Sequence, residues 1–105
     1  MSALVLDQLV ATIAARRSAA ADKSYTRQLL DAGPEKCARK FGEEAIELVM
    51  AGVGTTTDAV RDEAADVIYH LLVLLEVRGV PFAEVCAKLE ARMVQSGLQE
   101  KASRG

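Results

Sequence analysis

A chain of 105 residues, half of them hydrophobic and only 4% aromatic, is one domain's worth of sequence, and folding at that size buries about 60–70% of the surface exposed by the unfolded chain. A net charge of −2, a pI near 5.4 and no lysine-rich run exclude the basic field that a nucleic-acid backbone demands. The longest apolar stretch, Val67 to Val77, is broken by His70 and Glu76 and falls far short of the roughly 20 residues that cross a bilayer. Cys37 and Cys86 share no metal-type spacing and no leader pattern opens the chain, so the expectation is a cytoplasmic protein with free thiols and no membrane partner.

The apolar content is mostly Ala, Val and Leu, which suits packed helices. Leu6, Leu9, Val10 and Ile13 fall at helical spacing and predict a first amphipathic helix over about 3 to 20. In SYTRQLLDAGP, Ser24 can cap a short helical turn, Gly33 can close it, and Pro34 suits the first position of the next helix, about Glu35 to Ala51. The loop GVGTTTD ends in residues fit for an N-cap. A third long segment, Thr57 to Arg78, stops at Gly79 and Pro81, and a last helix runs from Phe82 to about Gln95 before a polar tail from about residue 97. The segment AADVIYHLLVLLEV is apolar on nearly every side, a pattern of all-round burial. The fold class is therefore all-α: one domain over 1–105, a bundle of about four to five helices, completed by dimerisation or a higher homo-oligomer.

On a helical wheel Lys36, Lys40, Glu43 and Glu47 form one stripe with Glu44 beside it, and Cys37, Phe41, Ala45 and Leu48 form the adjoining apolar face. Taken alone, such a stripe reads as a solvated face with lysine–glutamate pairs. Glu63, Asp66 and His70 stack one turn apart on the apolar third segment, however, and taking carboxylates out of water costs several kcal/mol without cations or donors. Five carboxylates in the runs EExxE and ExxD outnumber the two nearby lysines, so a divalent metal fits better. Oxygen ligands with a single histidine and no cysteine cluster point to Mg²⁺, with Mn²⁺ as a substitute. Mg²⁺ commonly binds carboxylates together with substrate phosphates, and Lys36, Arg39 and Lys40 can hold outer phosphates. The chemistry indicated is metal-assisted attack on phosphorus.

EExxE at Glu43 to Glu47 followed by ExxD at Glu63 to Asp66 resembles the metal motif of the all-α nucleoside triphosphate pyrophosphatases. The flanking SYTRQLL, GPEKCARKFGEEA, EAADVIYHLLVLL, RGV and SGLQEKASR resemble the phosphoribosyl-ATP pyrophosphohydrolase family over roughly residues 5 to 104. The resemblance implies Mg²⁺-dependent hydrolysis of phosphoribosyl-ATP to phosphoribosyl-AMP and pyrophosphate, the second step of histidine biosynthesis, in a cytoplasmic helical dimer. It does not include the cyclohydrolase domain that some relatives carry fused, so the next step is expected from another protein.

On this reading Glu44, Glu47, Glu63 and Asp66 are metal ligands, with Glu43 either a further ligand or, like Glu47, the group that orients or deprotonates the attacking water. Lys36 and Lys40, with Arg39 beside them, stabilise the departing pyrophosphate. His70 is either a hydrogen-bonded residue of a buried face or a support for Asp66, and Tyr69 faces the core. The hydroxyls of Ser24, Tyr25 and Thr26 are candidates for phosphate or ribose contacts, although a cap explains Ser24 equally well. The resemblance adds that Lys101 and Arg104, in the tail, help close the site. Two other readings stay open: a house-cleaning pyrophosphatase acting on another nucleoside triphosphate, and a non-catalytic helical dimer whose carboxylates form an ion-pair network for assembly.

Overall fold

The computed structural model describes residues 2–20 and 24–94, and all of the regular structure among them is helical. Helix α1 (Ser2–Ala15) runs into a single 3-10 turn, Arg16–Ser18, and is followed by α2 (Tyr25–Ala32), α3 (Pro34–Gly52), α4 (Thr57–Val77) and α5 (Phe82–Val94). Lys101, Arg104 and the rest of the polar tail lie outside the described residues.

Local chemistry sets the element boundaries. Ser24 Oγ accepts the Arg27 N–H at 3.1 Å and caps α2. Gly33 has φ +95°, a region L side chains rarely adopt; its N–H returns to the Leu30 carbonyl and its own carbonyl receives the Cys37 N–H. One glycine thus ends α2 and starts α3, with Pro34 at the first helical position, where no N–H is missed. At the end of α4, Gly79 (φ +70°) donates to the Glu76 carbonyl and Val80 to the Leu75 carbonyl at 2.9 Å, the paired bonds of a Schellman cap. The expected N-cap of α4 forms only in its backbone: Thr56 is extended but makes no side-chain capping bond, and Asp58, in the first turn, pairs instead with Arg61.

The short Val53–Thr56 connection folds α3 and α4 into an antiparallel hairpin, the most extensive helix contact in the chain. Helices α1 and α2 cover one end of that hairpin. The buried core contains Ile13 of α1, Leu29 and Leu30 of α2, Cys37 of α3, and Leu72 and Val73 of α4, flanked by Leu9, Val10, Tyr69 and Phe82. Cys37 Sγ donates to the Leu29 carbonyl at 3.1 Å, and burial pushes its thiol above the ordinary value. Arg17 ties α1 to the C-terminal end of α4, giving Nε to the Glu76 carboxylate at 2.6 Å and Nη2 to the Glu76 carbonyl at 2.8 Å.

All-round burial of α4 is only partly realised within one chain. His70, Leu72 and Val73 are buried and Leu71, Leu74 and Leu75 half-buried, whereas Ala65, Asp66 and Ile68 are exposed. The larger uncovered apolar surface is at the end of α3, where Ile46, Val49 and Met50, followed by Val53 just past the last turn, recur at helical spacing and are 64–83% exposed. They lie toward the loop end of the hairpin, beyond the cover of α1 and α2.

Ile13 is 2% exposed and is the buried core residue contributed by α1. Ile13→Ala is expected to destabilise the fold by about 2–5 kcal/mol in a denaturant titration; a loss below about 1 kcal/mol would show that α1 does not hold the core.

Candidate active site

The acidic residues sit where the hairpin emerges from the core. Helix α3 supplies Glu43, Glu44 and Glu47, α4 supplies Glu63 and Asp66, and the antiparallel pairing sets Glu47 against Glu63 and Glu44 near Asp66 and His70. Glu44 and Glu63 lie on the half-buried inner edges of their helices, with Glu47 and Asp66 outside them.

Four carboxylates are thus brought together. The Glu63 carboxyl is held above its ordinary value first by a hydrogen bond with Glu47, then by desolvation and by the charges of Glu47, Asp66 and Glu44. Burial is the leading cause of the same upward shift at Glu44, followed by the charge of Glu47 and a hydrogen bond with it; His70 opposes the shift and Asp66 adds to it. Glu47 is the neighbour common to both. Among the described residues no Lys or Arg forms an ion pair with Glu44, Glu47, Glu63 or Asp66. The donor chemistry, hard oxygens in excess of positive charge, fits a divalent cation of the Mg²⁺ type. No group of three His, Cys, Asp or Glu side chains among the described residues is already arranged to hold a metal ion, so binding one calls for side-chain rotation within the cluster.

Glu43 is not part of that cluster. It is exposed and paired along its own helix with Lys40, Nζ to Oε1 at 3.2 Å. Lys40 is held above the ordinary lysine value by that hydrogen bond first, then by Tyr25 and by the charges of Glu43 and Glu44, so it stays cationic at the margin of the acids. Lys36 and Arg39 are exposed on the same helix and make no ion pair among the described residues.

His70, 7% exposed, points Nδ1 at the main-chain carbonyl of Asp66 at 2.9 Å. Of the two roles expected for His70 this is the hydrogen-bonded residue of a buried face, with Nδ1 as the donor to the Asp66 backbone; Nε2 is buried and makes no hydrogen bond among the described residues. Tyr69 and Tyr25 stand edge-on to the imidazole, with ring centroids 4.9 and 6.3 Å away. Thr26 Oγ1 and Tyr69 Oη share a 2.5 Å hydrogen bond, and burial pushes the Tyr69 phenol up against the opposing effect of that bond. Ser24 spends its hydroxyl oxygen on the α2 cap. The approach of Tyr25 to His70 and Lys40 was missed from sequence, since 45 and 15 positions separate them and neither separation lies within one element.

A family model described as phosphoribosyl-ATP pyrophosphohydrolase matches residues 6–93. The chain is 56% identical over 100 residues to a phosphoribosyl-ATP pyrophosphatase of Dinoroseobacter shibae, covering 95% of this chain and 98% of the relative. It is 54% identical over 101 residues to a protein of the same description from Cereibacter sphaeroides, covering 96% and 98%. A phosphoribosyl-ATP pyrophosphatase 1 of Rhodopseudomonas palustris is 51% identical over 104 residues, 99% of this chain and 97% of that one.

Crowding of the acids gives a pH signature. Carboxyls raised in the folded state bind protons more readily there than in the unfolded chain, so their stabilising contribution is present below the ordinary Glu value of 4.5 and is lost as pH rises through the raised value. In chelator, Glu63→Gln, which keeps a donor for Glu47 without the charge, is expected to raise the melting temperature at neutral pH and to flatten its decline from pH 4.5 upward. A lower melting temperature at neutral pH would contradict this account.

Proposed function

The chain belongs to the phosphoribosyl-ATP pyrophosphohydrolase family, and from that premise we propose that it hydrolyses phosphoribosyl-ATP to phosphoribosyl-AMP and pyrophosphate with Mg²⁺, the second step of histidine biosynthesis, as a cytoplasmic homodimer. The observation that carries the reading is the meeting of Glu44, Glu47, Glu63 and Asp66 across the α3–α4 hairpin with no counter-cation among the described residues.

Glu44, Glu47, Glu63 and Asp66 would hold the ion, which when bound supplies positive charge to the carboxylates and polarises the phosphate oxygens. Everything else is asked of the chain itself. Phosphoryl transfer needs positioning and charge neutralisation more than a protein nucleophile, so water attacks phosphorus at the α–β anhydride. Glu47, the neighbour that Glu44 and Glu63 share across the hairpin, is the carboxylate we assign to accept the proton of that water. Lys40, steadied by Glu43, and Lys36 one turn before it face the leaving pyrophosphate and stabilise its charge as the bond breaks. Glu43 thereby acts as a positioning residue for Lys40.

Self-association is supported by the uncovered stripe of Ile46, Val49 and Met50 on α3, continued by Val53 just past its end, with Ile68 of α4 also exposed. Contiguous apolar surface of this kind is covered by a partner in soluble proteins, and a second copy is the commonest one.

Two measurements test the proposal. Pyrophosphate release from phosphoribosyl-ATP is expected to exceed that from a panel of nucleoside triphosphates, to vanish in excess chelator and to return with Mg²⁺ or Mn²⁺; equal rates across the panel would assign the chain to a house-cleaning role, and full activity after chelation would remove the metal. Light scattering at micromolar concentration is expected to report at least a dimer, and a folded monomer would contradict the association.

A further inference from the structure

Phosphoribosyl-ATP differs from ATP by a phosphoribosyl arm on the base, which puts a second phosphate far from the triphosphate. A site that prefers it needs an anion-binding subsite separated from the acids yet within reach of one bound molecule. Two concavities compete for that role. The larger, about 670 Å³, lies between α1 and α5, but Asp7, Glu76 and Glu90 ring it and its arginine, Arg17, is committed to Glu76; it would repel a phosphate. The other, about 340 Å³, lies between the end of α1 and the start of α2, and no acidic residue among the described residues lines it.

We infer that this second concavity holds the phosphoribosyl arm, with Arg16 taking its phosphate and the Tyr25 ring forming the wall shared with the reaction site. The inference rests on the hydrolysis of phosphoribosyl-ATP proposed above. Its lining includes Thr12, Arg16, Ser24, Tyr25, Thr26 and Tyr69. Arg17, Arg27 and Arg61 are bound to carboxylates, whereas exposed Arg16 makes no ion pair among the described residues and keeps its planar donor fork open to a phosphate. Thr12 donates to the Gln8 carbonyl at 2.9 Å, which leaves its oxygen as an acceptor for a ribose hydroxyl. Tyr25 links the two regions. Half exposed, it lines the concavity, stands 6.3 Å from the His70 ring and is near enough to Lys40 to help favour its cationic form. A base lying over Tyr25 would thus have its triphosphate on the Lys40 side and its arm on the Arg16 side.

The test compares binding of AMP and phosphoribosyl-AMP, which differ only by the arm, by calorimetry with Mg²⁺ present. Wild type is expected to bind phosphoribosyl-AMP about 10- to 100-fold more tightly. Arg16→Met is expected to bring the two affinities within about threefold by weakening phosphoribosyl-AMP alone, and Arg16→Lys to restore part of the gap by returning the charge without the fork. Equal weakening of both nucleotides, or of neither, would overturn the assignment. The wild type alone gives a second reading: its preference must shrink as salt rises, because one additional exposed charge pair is being screened, and a salt-independent preference would also overturn it. Failure to hydrolyse phosphoribosyl-ATP would reject the proposed function, whereas hydrolysis with equal affinity for AMP and phosphoribosyl-AMP would reject only the arm subsite.

Discussion

The antiparallel contact between α3 and α4 is the constraint on which everything else depends. One face of the pair must be apolar enough to pack, and the next turn of the same helices must carry carboxylates that packing alone would expel. The conflict is settled by position along the hairpin. Toward Cys37, Leu72 and Val73 the pair is covered by α1 and α2 and closes as an ordinary core; toward the loop the cover ends, and there the acids stand half in solvent. Charged groups that would cost several kcal/mol in the core are held at its edge, where they remain ionisable and within reach of one another.

That placement explains why Glu47 rather than Glu43 is central, although both lie on one stripe in sequence. A helix turns 100° per residue, so two positions four apart differ by only a few tens of degrees, too little to separate them on a wheel. What separates them is α4. Glu47 falls opposite Glu63, while Glu43 finds Lys40 one turn back and pairs there. A local ion pair and a non-local acid cluster thus compete for neighbouring glutamates, and each takes one.

Much of this was legible from residues alone. The spacing of Leu6, Leu9, Val10 and Ile13, the Ser24 cap, the Gly33–Pro34 junction and the Gly79–Pro81 stop mark helix boundaries within a few residues of those observed, because each acts through backbone chemistry a few positions away. The juxtaposition of EExxE with ExxD was also legible, since a short loop leaves two long helices little choice but to lie antiparallel. What escaped was decided by contacts between distant segments: the Tyr25 ring against His70, the Thr26–Tyr69 hydrogen bond and the open concavity beside Arg16. His70 illustrates the limit, for its place beside the acids followed from periodicity while its choice of the Asp66 carbonyl over the carboxylate depended on ring orientation.

The contact between Arg17 and Glu76 joins residues 59 positions apart, whereas α2, α3 and α4 meet through connections of a few residues. Closing a long loop carries more entropy than closing a short one, and contacts distant in sequence slow folding relative to local ones. The hairpin and its α2 cover can therefore assemble first, with α1 docking onto a surface already formed. On the ribosome the order of emergence is the reverse: α1 leaves the tunnel ahead of every partner, and its Leu9, Val10 and Ile13 stay without cover until the last turns of α4 have been made.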